Sequence, residues 1–214
     1  MSKSIADIRK DYSLKTLNES DVLDNPFEQF SIWWNDAVAS DIDEVNAMNL
    51  ATINQQLKPT SRTVLLKGFD DNGFIFFTNY NSSKGHQIEN NTNVALCFFW
   101  KELQRQVRIE GIAKKISDEA NDTYFNSRPY GSKVGAWASP QSQIIESRDI
   151  LVQNEEQIIK EFTEANITRP DHWGGYSVLP NYFEFWQGRS NRLHDRICYQ
   201  LNENAQWKIA RLAP

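Results

Sequence analysis

The sequence predicts a mainly antiparallel β fold, a barrel decorated by helices, and three observations carry that expectation. Strand-sized apolar runs recur along the chain, about six to eight of them, as small antiparallel barrels require. Turn signals rich in Asn, Asp and Gly separate several of these runs. The helical stretches interrupt the strands without the regular strand–helix alternation of a parallel α/β sheet. A β-rich chain of 214 residues fits one domain with a sizeable core.

Each element has a local reason. Residues 1–24 are polar, with Ile5, Ile8 and Tyr12 as anchors, and read as an arm holding one short helix. Terminal arms of this kind are often mobile. Residues 25–214 are expected to form a single domain with helical insertions. Asn25-Pro26-Phe27-Glu28 starts a helix, with Asn as N-cap, Pro at the first helical position and Glu three residues after the cap. Phe27, Phe30, Trp34, Ala37 and Val38 fall on one face of it. Ala47–Asn54 and Arg62–Phe69 read as strands, Asp70-Asp71-Asn72-Gly73 as a turn, and Phe74–Asn79 as the returning strand. Ser83–Asn91 reads as a short helix, and Val94–Trp100 with Gln104–Lys115 as a further strand pair. Ser117-Asp118-Glu119 opens a helix that runs to Ser127 and stops before Pro129. Asp149–Ala165 is a second long helix with Leu151, Ile158, Phe162 and Ala165 on one side. The tail returns to β structure at Tyr176–Leu179, Tyr182–Trp186, Arg192–Leu201 and Trp207–Leu212.

Composition narrows the function. Lys plus Arg is 23 and Asp plus Glu is 28, a net charge of -5. Nucleic-acid binders draw affinity from cationic contacts with phosphates, so this balance argues against one but leaves room for a small phosphorylated ligand. Cys97 and Cys198 are isolated and read as reduced core residues. Met1 to Lys10 has no apolar stretch of the signal-peptide kind, and no run approaches the length of a membrane helix, so a cytoplasmic protein is expected. His86, His172 and His194 lie far apart and in no metal-binding spacing, and no metal is expected. Gly-rich phosphate loops and the G-x-S-x-G elbow are absent.

The tail carries the strongest site signal. Side chains alternate along the expected strand Arg192–Leu201, so Arg192, His194 and Arg196 share one face, and Leu193, Ile197 and Tyr199 the other. Two guanidiniums flanking an imidazole make a poor core and a good cradle for an anion, while a solvated strand face is the bland alternative. Trp186 lies close to the same surface and suits stacking on a flat ligand. Trp33, Trp34 and Trp100 read as core or interface, and His86 and His172 as structural or exposed.

Phe185-Trp186-Gln187-Gly188, then Arg192-Leu193-His194-Asp195-Arg196, then Trp207-Lys208-Ile209-x-Arg211-Leu212-Ala213-Pro214 resembles the pyridoxine/pyridoxamine 5′-phosphate oxidase family. Upstream, Arg62-Thr63-Val64-Leu65-Leu66-Lys67, Phe77-Thr78-Asn79, the Lys84–Asn91 segment and Arg105-Gln106-Val107 follow the family's order. So do Tyr124-Phe125-x-Ser127-Arg128-Pro129, Gly135-Ala136-Trp137 and Gln141-Ser142. The likeness runs from Arg9 to Pro214; each motif alone is weak, and the ordered set is specific.

The resemblance implies an FMN-binding split β-barrel working as a homodimer, with FMN at the subunit interface. It implies oxidation of pyridoxamine or pyridoxine 5′-phosphate to pyridoxal 5′-phosphate, with O2 becoming H2O2 and the amine released as NH3. It assigns to the flavin Arg62, Thr63, Val64, Leu65, Leu66, Lys67, Phe77, Thr78, Lys84, Gln106, Gln141, Ser142, Trp186 and Arg196. Lys67, Tyr124, Arg128 and Ser132 would hold the substrate phosphate, Arg192 and His194 would face the pyridine ring as catalytic residues, and Arg9 and Tyr12 would cover it from the arm.

Two departures and one puzzle accompany this. Ser83 stands where the family commonly carries Arg, which predicts weaker FMN retention, and Phe77 stands where Tyr is common. Arg62 and Lys67 are five apart, so an ideal strand points them to opposite faces; either a bulge intervenes or one acts through its backbone. A flavin reductase on the same fold and a pyridoxal-phosphate carrier are the competing functions. The phosphate-binding set speaks against the first and the flavin set against the second.

Overall fold

The computed structural model describes residues 4–8 and 10–214; Arg9, expected on the substrate, lies outside the described residues. The strands are β1 (Ala47–Ile53), β2 (Pro59–Leu65), β3 (Gly68–Asp70), β4 (Gly73–Asn79), β5 (Asn93–Trp100), β6 (Arg105–Lys115), β7 (Trp173–Gln187), β8 (Asp195–Leu201) and β9 (Trp207–Arg211). The helices are α1 (Pro26–Ala39), α2 (Ser83–Asn90), α3 (Asp118–Ser127), α4 (Tyr130–Ala138) and α5 (Asp149–Glu161). The strands hydrogen-bond in the order β2-β1-β5-β6-β7-β4-β3, with β8 on β7 and β9 on β8. The β3–β4, β4–β7, β7–β8 and β8–β9 pairs are antiparallel. No helix among the described residues is long and apolar enough to cross a membrane.

The chain divides into two compact units. The first comprises residues 1–50, 95–111 and 180–214. Its α1 is started by Asn25, whose side chain accepts from the Phe27 N–H at 2.8 Å, with Pro26 at the first position. Phe27 packs edge-on to Phe183 at 5.3 Å, Phe30 on Phe98 at 5.3 Å and Trp33 on Phe185 at 5.2 Å. Burying each such ring contributes roughly 1.5–3 kcal/mol. The buried face is turned one position from the expected one. Trp33 is buried with Arg105 over its ring at 4.3 Å, Trp34 is half-buried, and Val38 is exposed.

The second unit comprises residues 51–94 and 112–179. There β4 pairs with the start of β7, from Phe74 opposite Val178 to Asn79 opposite Trp173. Phe74, Phe76, Ile88, Phe125, Val134 and Val178 form its core. Ser82 and Ser117 cap α2 and α3, accepting from the N–H groups of Gly85 and Ala120.

Several expected elements are redrawn. The run Arg62–Phe69 is two strands, because Val64-Leu65-Leu66 cannot all face one side; the chain breaks at Leu66 and Lys67 and buries Leu66. The runs either side of Pro180 are one strand. Pro180, which has no N–H, falls between the stretch paired with β4 and the stretch paired with β8. The last expected helix stops at Glu161, and α4 was not expected at all. The arm holds two short 3-10 turns, Ile5–Asp7 and Glu19–Asp21. The strand expected from Arg192 begins only at Asp195: Ser190–Arg192 is a 3-10 turn with φ of 56° at Asn191 and 62° at Arg192. Arg192 and His194 thus lie ahead of the strand that holds Arg196, and strand alternation does not place the three on one face.

Candidate active site

In the second unit a cleft of about 470 Å³ opens between the end of β2, β4, the start of α2, the end of α3 and α4. Of the expected ligands, Thr63, Val64, Leu65, Lys67, Phe77, Thr78, Lys84, Tyr124, Arg128, Ser132 and Gln141 line it. Lys67, Lys84 and Arg128 bring three cations, and no Asp or Glu is among the described residues that line it. That lining favours an anion.

Lys84 is placed by the capped start of α2. Its Nζ donates to Thr78 Oγ1 at 2.9 Å, Gln141 Oε1 at 3.1 Å and Ser82 Oγ at 3.2 Å. Burial, and then the charge of Arg62, push its pKa down to about 8. Gly85 lets the helix begin there, since a Cβ would stand 2.0 Å from the Tyr80 carbonyl oxygen. Arg62 itself turns away from the lining. Its guanidinium donates to Thr52 Oγ1 at 2.5 Å, Thr60 Oγ1 at 2.8 Å and Gln87 Oε1 at 3.1 Å. Lys67 lines the cleft while Arg62 faces α2, opposite sides as their spacing of five residues requires, so the two side chains do not meet on one face.

The far wall is aromatic. Tyr124 stacks on Phe77 at 3.9 Å, and Phe77 on Trp173 at 5.2 Å. The Arg128 guanidinium lies over Trp173 at 4.6 Å, and its buried Nη1 has no hydrogen-bond partner among the described residues. Trp173, Asn79, Ser139, Gly135 and Ala136 also line the cleft and were not expected as site residues. Leu66 is buried in the core, and Ser142 is exposed in a turn with φ of 71°.

The remaining expected residues belong to the first unit. Tyr12, Arg192 and His194 line a pocket of about 570 Å³ with Lys10, Asp11 and Arg189. The His194 ring is 4.6 Å from that of Trp186 and 6.0 Å from that of Tyr12. His194 Nδ1 accepts from the Arg189 N–H at 3.1 Å, so a neutral ring carries its proton on Nε2. Burial, then the charge of Arg192, hold its pKa below the ordinary imidazole value, against the opposing pull of Asp195. Arg196 grips Glu184 rather than an open pocket, and also donates to the Ala213 carbonyl at 2.8 Å. Gln106 is half-buried on β6.

Two family models match the chain. Residues 35–160 match one described as pyridoxamine 5′-phosphate oxidase, and residues 173–214 match one described as the pyridoxine 5′-phosphate oxidase C-terminal dimerisation region. Among curated relatives, the pyridoxine/pyridoxamine 5′-phosphate oxidase of Nostoc punctiforme is 50% identical over 100% of both chains. The proteins of the same description from Cytophaga hutchinsonii and Burkholderia pseudomallei are each 51% identical, over 100% and 99% of both chains. Among solved structures, PhzG from Burkholderia lata 383, in complex with tetrahydrophenazine-1-carboxylic acid, superposes with a TM-score of 0.88 at 26% identity, covering 96% of this chain and 100% of that one. A pyridoxamine 5′-phosphate oxidase-related, FMN-binding protein from Nostoc punctiforme superposes with a TM-score of 0.71 at 17% identity, covering 90% and 100%. The expected fold class, an antiparallel split β-barrel with inserted helices, is the fold of this chain.

Proposed function

The chain belongs to the pyridoxamine 5′-phosphate oxidase family, and from that premise we propose that it is a cytoplasmic, FMN-dependent oxidase of pyridoxamine and pyridoxine 5′-phosphates. The product is pyridoxal 5′-phosphate. The alcohol is oxidised with O2 consumed and H2O2 released; the amine also takes up water and releases NH3. A homodimer with FMN at the subunit interface is supported by the match of residues 173–214 to a dimerisation region. In this reading residues 25–214 are the flavin-binding domain and residues 1–24 the arm.

The single observation that carries the proposal is the convergence of Lys67, Lys84, Tyr124, Arg128 and Ser132 in one cleft with no carboxylate among the described lining residues. The donor set suits a flavin phosphate. Lys84 is an ammonium held by three neutral oxygens, and Arg62 stands close enough to depress its pKa. Two cations forced together are relieved by a shared anion. Lys84 is thus assigned to that phosphate, with Arg62 behind it as a second charge, and Thr63–Lys67, Phe77, Thr78, Gln106, Gln141, Ser142 and Trp186 to the rest of the flavin; the family likeness adds Arg196, which here would have to share its guanidinium with Glu184. FMN, when bound, supplies the redox chemistry by accepting a hydride equivalent from the substrate carbon and returning two electrons to O2.

The protein's own groups bind and orient. Arg128, Lys67, Tyr124 and Ser132 hold a dianionic phosphate remote from the reacting carbon. Arg192 and His194 face the pyridine ring, where Nε2–H of a neutral His194 is a donor and not a base. With no strong base in the set, the rate comes mainly from positioning. Tyr12 covers the ring; Arg9, outside the described residues, is assigned to the substrate by family likeness alone.

The test is direct: purified protein should be yellow and release H2O2 when given pyridoxamine 5′-phosphate. Protein that stays colourless after incubation with FMN overturns the reading. The likeness to PhzG favours a second one, oxidation of a ring without phosphate. A lower KM for pyridoxamine 5′-phosphate than for pyridoxamine, by two orders of magnitude or more, rejects it.

A further inference from the structure

Arg128 is held in an unusual way for a half-buried cation. Its guanidinium lies over the Trp173 ring at 4.6 Å and 5.7 Å from the ring of Phe125, while Nη1 is buried without a hydrogen-bond partner among the described residues. A carboxylate would fix an arginine by consuming its N–H groups; an aromatic face fixes it and leaves them free. Trp173 is itself rigid. The residue is 6% exposed, and its ring lies parallel to Phe77 at 5.2 Å and edge-on to Phe125 at 5.2 Å. Its backbone is pinned by its place opposite Asn79 and by Arg169 Nη1 donating to its carbonyl at 2.9 Å. Phe77, on the same platform, carries the Tyr124 ring at 3.9 Å.

We propose that Trp173 is a positioning residue for the substrate phosphate, its indole face holding Arg128 in the cleft lining without consuming its N–H groups, so that the guanidinium is kept free to pair with the phosphate. This rests on the assignment of Arg128 to the substrate phosphate. An anion in the cleft supplies an acceptor that the guanidinium lacks, and an arginine already held by the indole costs less to order.

The test uses the FMN-loaded enzyme with pyridoxamine 5′-phosphate as substrate, inorganic phosphate as competitive inhibitor, and absorbance titration with pyridoxal 5′-phosphate. Trp173→Leu should raise the KM, the phosphate Ki and the product Kd together by about tenfold, while kcat and FMN content stay within threefold. Trp173→Phe, which keeps a π face, should stay within threefold of the parent on all three. In an Arg128→Ala background, Trp173→Leu should add less than twofold, because the partner through which it acts is gone. Equal damage from Phe and Leu, or full additivity with Arg128→Ala, overturns the proposal. If Trp173→Leu does not fold, Trp173→Phe decides alone: a loss above threefold that persists in the Arg128→Ala background overturns it. If Arg128→Ala by itself leaves all three constants unchanged, it is the phosphate assignment of Arg128 that fails.

Discussion

Glu184 is clasped by Arg196 through both carboxylate oxygens, at 2.8 and 3.0 Å, on the paired strands β7 and β8. Arg108 adds a contact at 2.9 Å and the Tyr182 hydroxyl one at 3.2 Å, and Glu184 is 2% exposed. Burial pushes its pKa up, but the Arg196 hydrogen bonds and then the two guanidinium charges outweigh it and leave it below the usual carboxylate value. A depressed folded-state pKa contributes stability above the unfolded value that is lost as pH falls through the folded one. Glu184→Gln should therefore lower stability by about 1–3 kcal/mol at pH 7, with the two arginines still able to reach water. It should also flatten the acid side of the profile. Thermal unfolding between pH 3 and 7 checks both; parallel curves for the two proteins would refute the assignment.

Lys84 gives a second pH dependence. With a pKa near 8 in the free protein, it is charged at pH 7 and loses its proton as pH rises through 8. A bound phosphate restores the charged form and raises that pKa. FMN affinity should thus be flat between pH 7 and 8 and fall by up to about tenfold per unit above it, while riboflavin binding stays flat. Lys84→Met should weaken FMN by about ten- to a hundredfold, the worth of a charge-assisted hydrogen bond, and leave riboflavin nearly unchanged. Fluorescence titration of both flavins reads the difference.

Ser83 is exposed at the first position of α2, beside Lys84. Its place in the family pattern predicts a missing cation. Ser83→Arg should tighten FMN about tenfold, and the gain should shrink as salt rises. An unchanged dissociation constant at low salt would show that the position does not face the cofactor phosphate.

His194→Ala and Arg192→Ala should each slow single-turnover flavin reduction by about a hundredfold while FMN binding changes by less than threefold. His194 titrates below the ordinary 6.5, so the reduction rate of the parent protein should hold through neutral pH and fall on the acid side. The fall has a structural cause: a protonated Nδ1 can no longer accept from the Arg189 N–H. Stopped-flow traces across pH 5–8 test this, and equal rates in both variants would remove these residues from the reaction.

Legibility followed local chemistry. Asn25, Ser82 and Ser117 fix helix starts because a short oxygen acceptor beside free N–H groups is a local interaction, and the Asp70–Gly73 turn is equally local. Helix α4 was not legible, since Gly131 and Gly135 depress helix propensity and only its packing, with Val134 and Ala138 buried, offsets them. The left-handed pair Asn191 and Arg192 defeats any alternation rule, because nothing in their side chains requires that conformation. Eleven cleft residues named from family likeness lie together, whereas Trp173 was given no role; it stands before two glycines and three residues ahead of the expected strand at Tyr176, where no local signal marks it.

Gly188 is defined by what it lacks. A methyl group there would stand 2.8 Å from the ring of Tyr12, which is anchored behind by the Ser190 hydroxyl donating to its carbonyl at 3.2 Å. The arm's seat is thus a vacancy one carbon deep, and alanine in that place would wedge the tyrosine outward. On the proposed function, retention of a phosphorylated pyridine should then suffer although no atom that touches it had been altered.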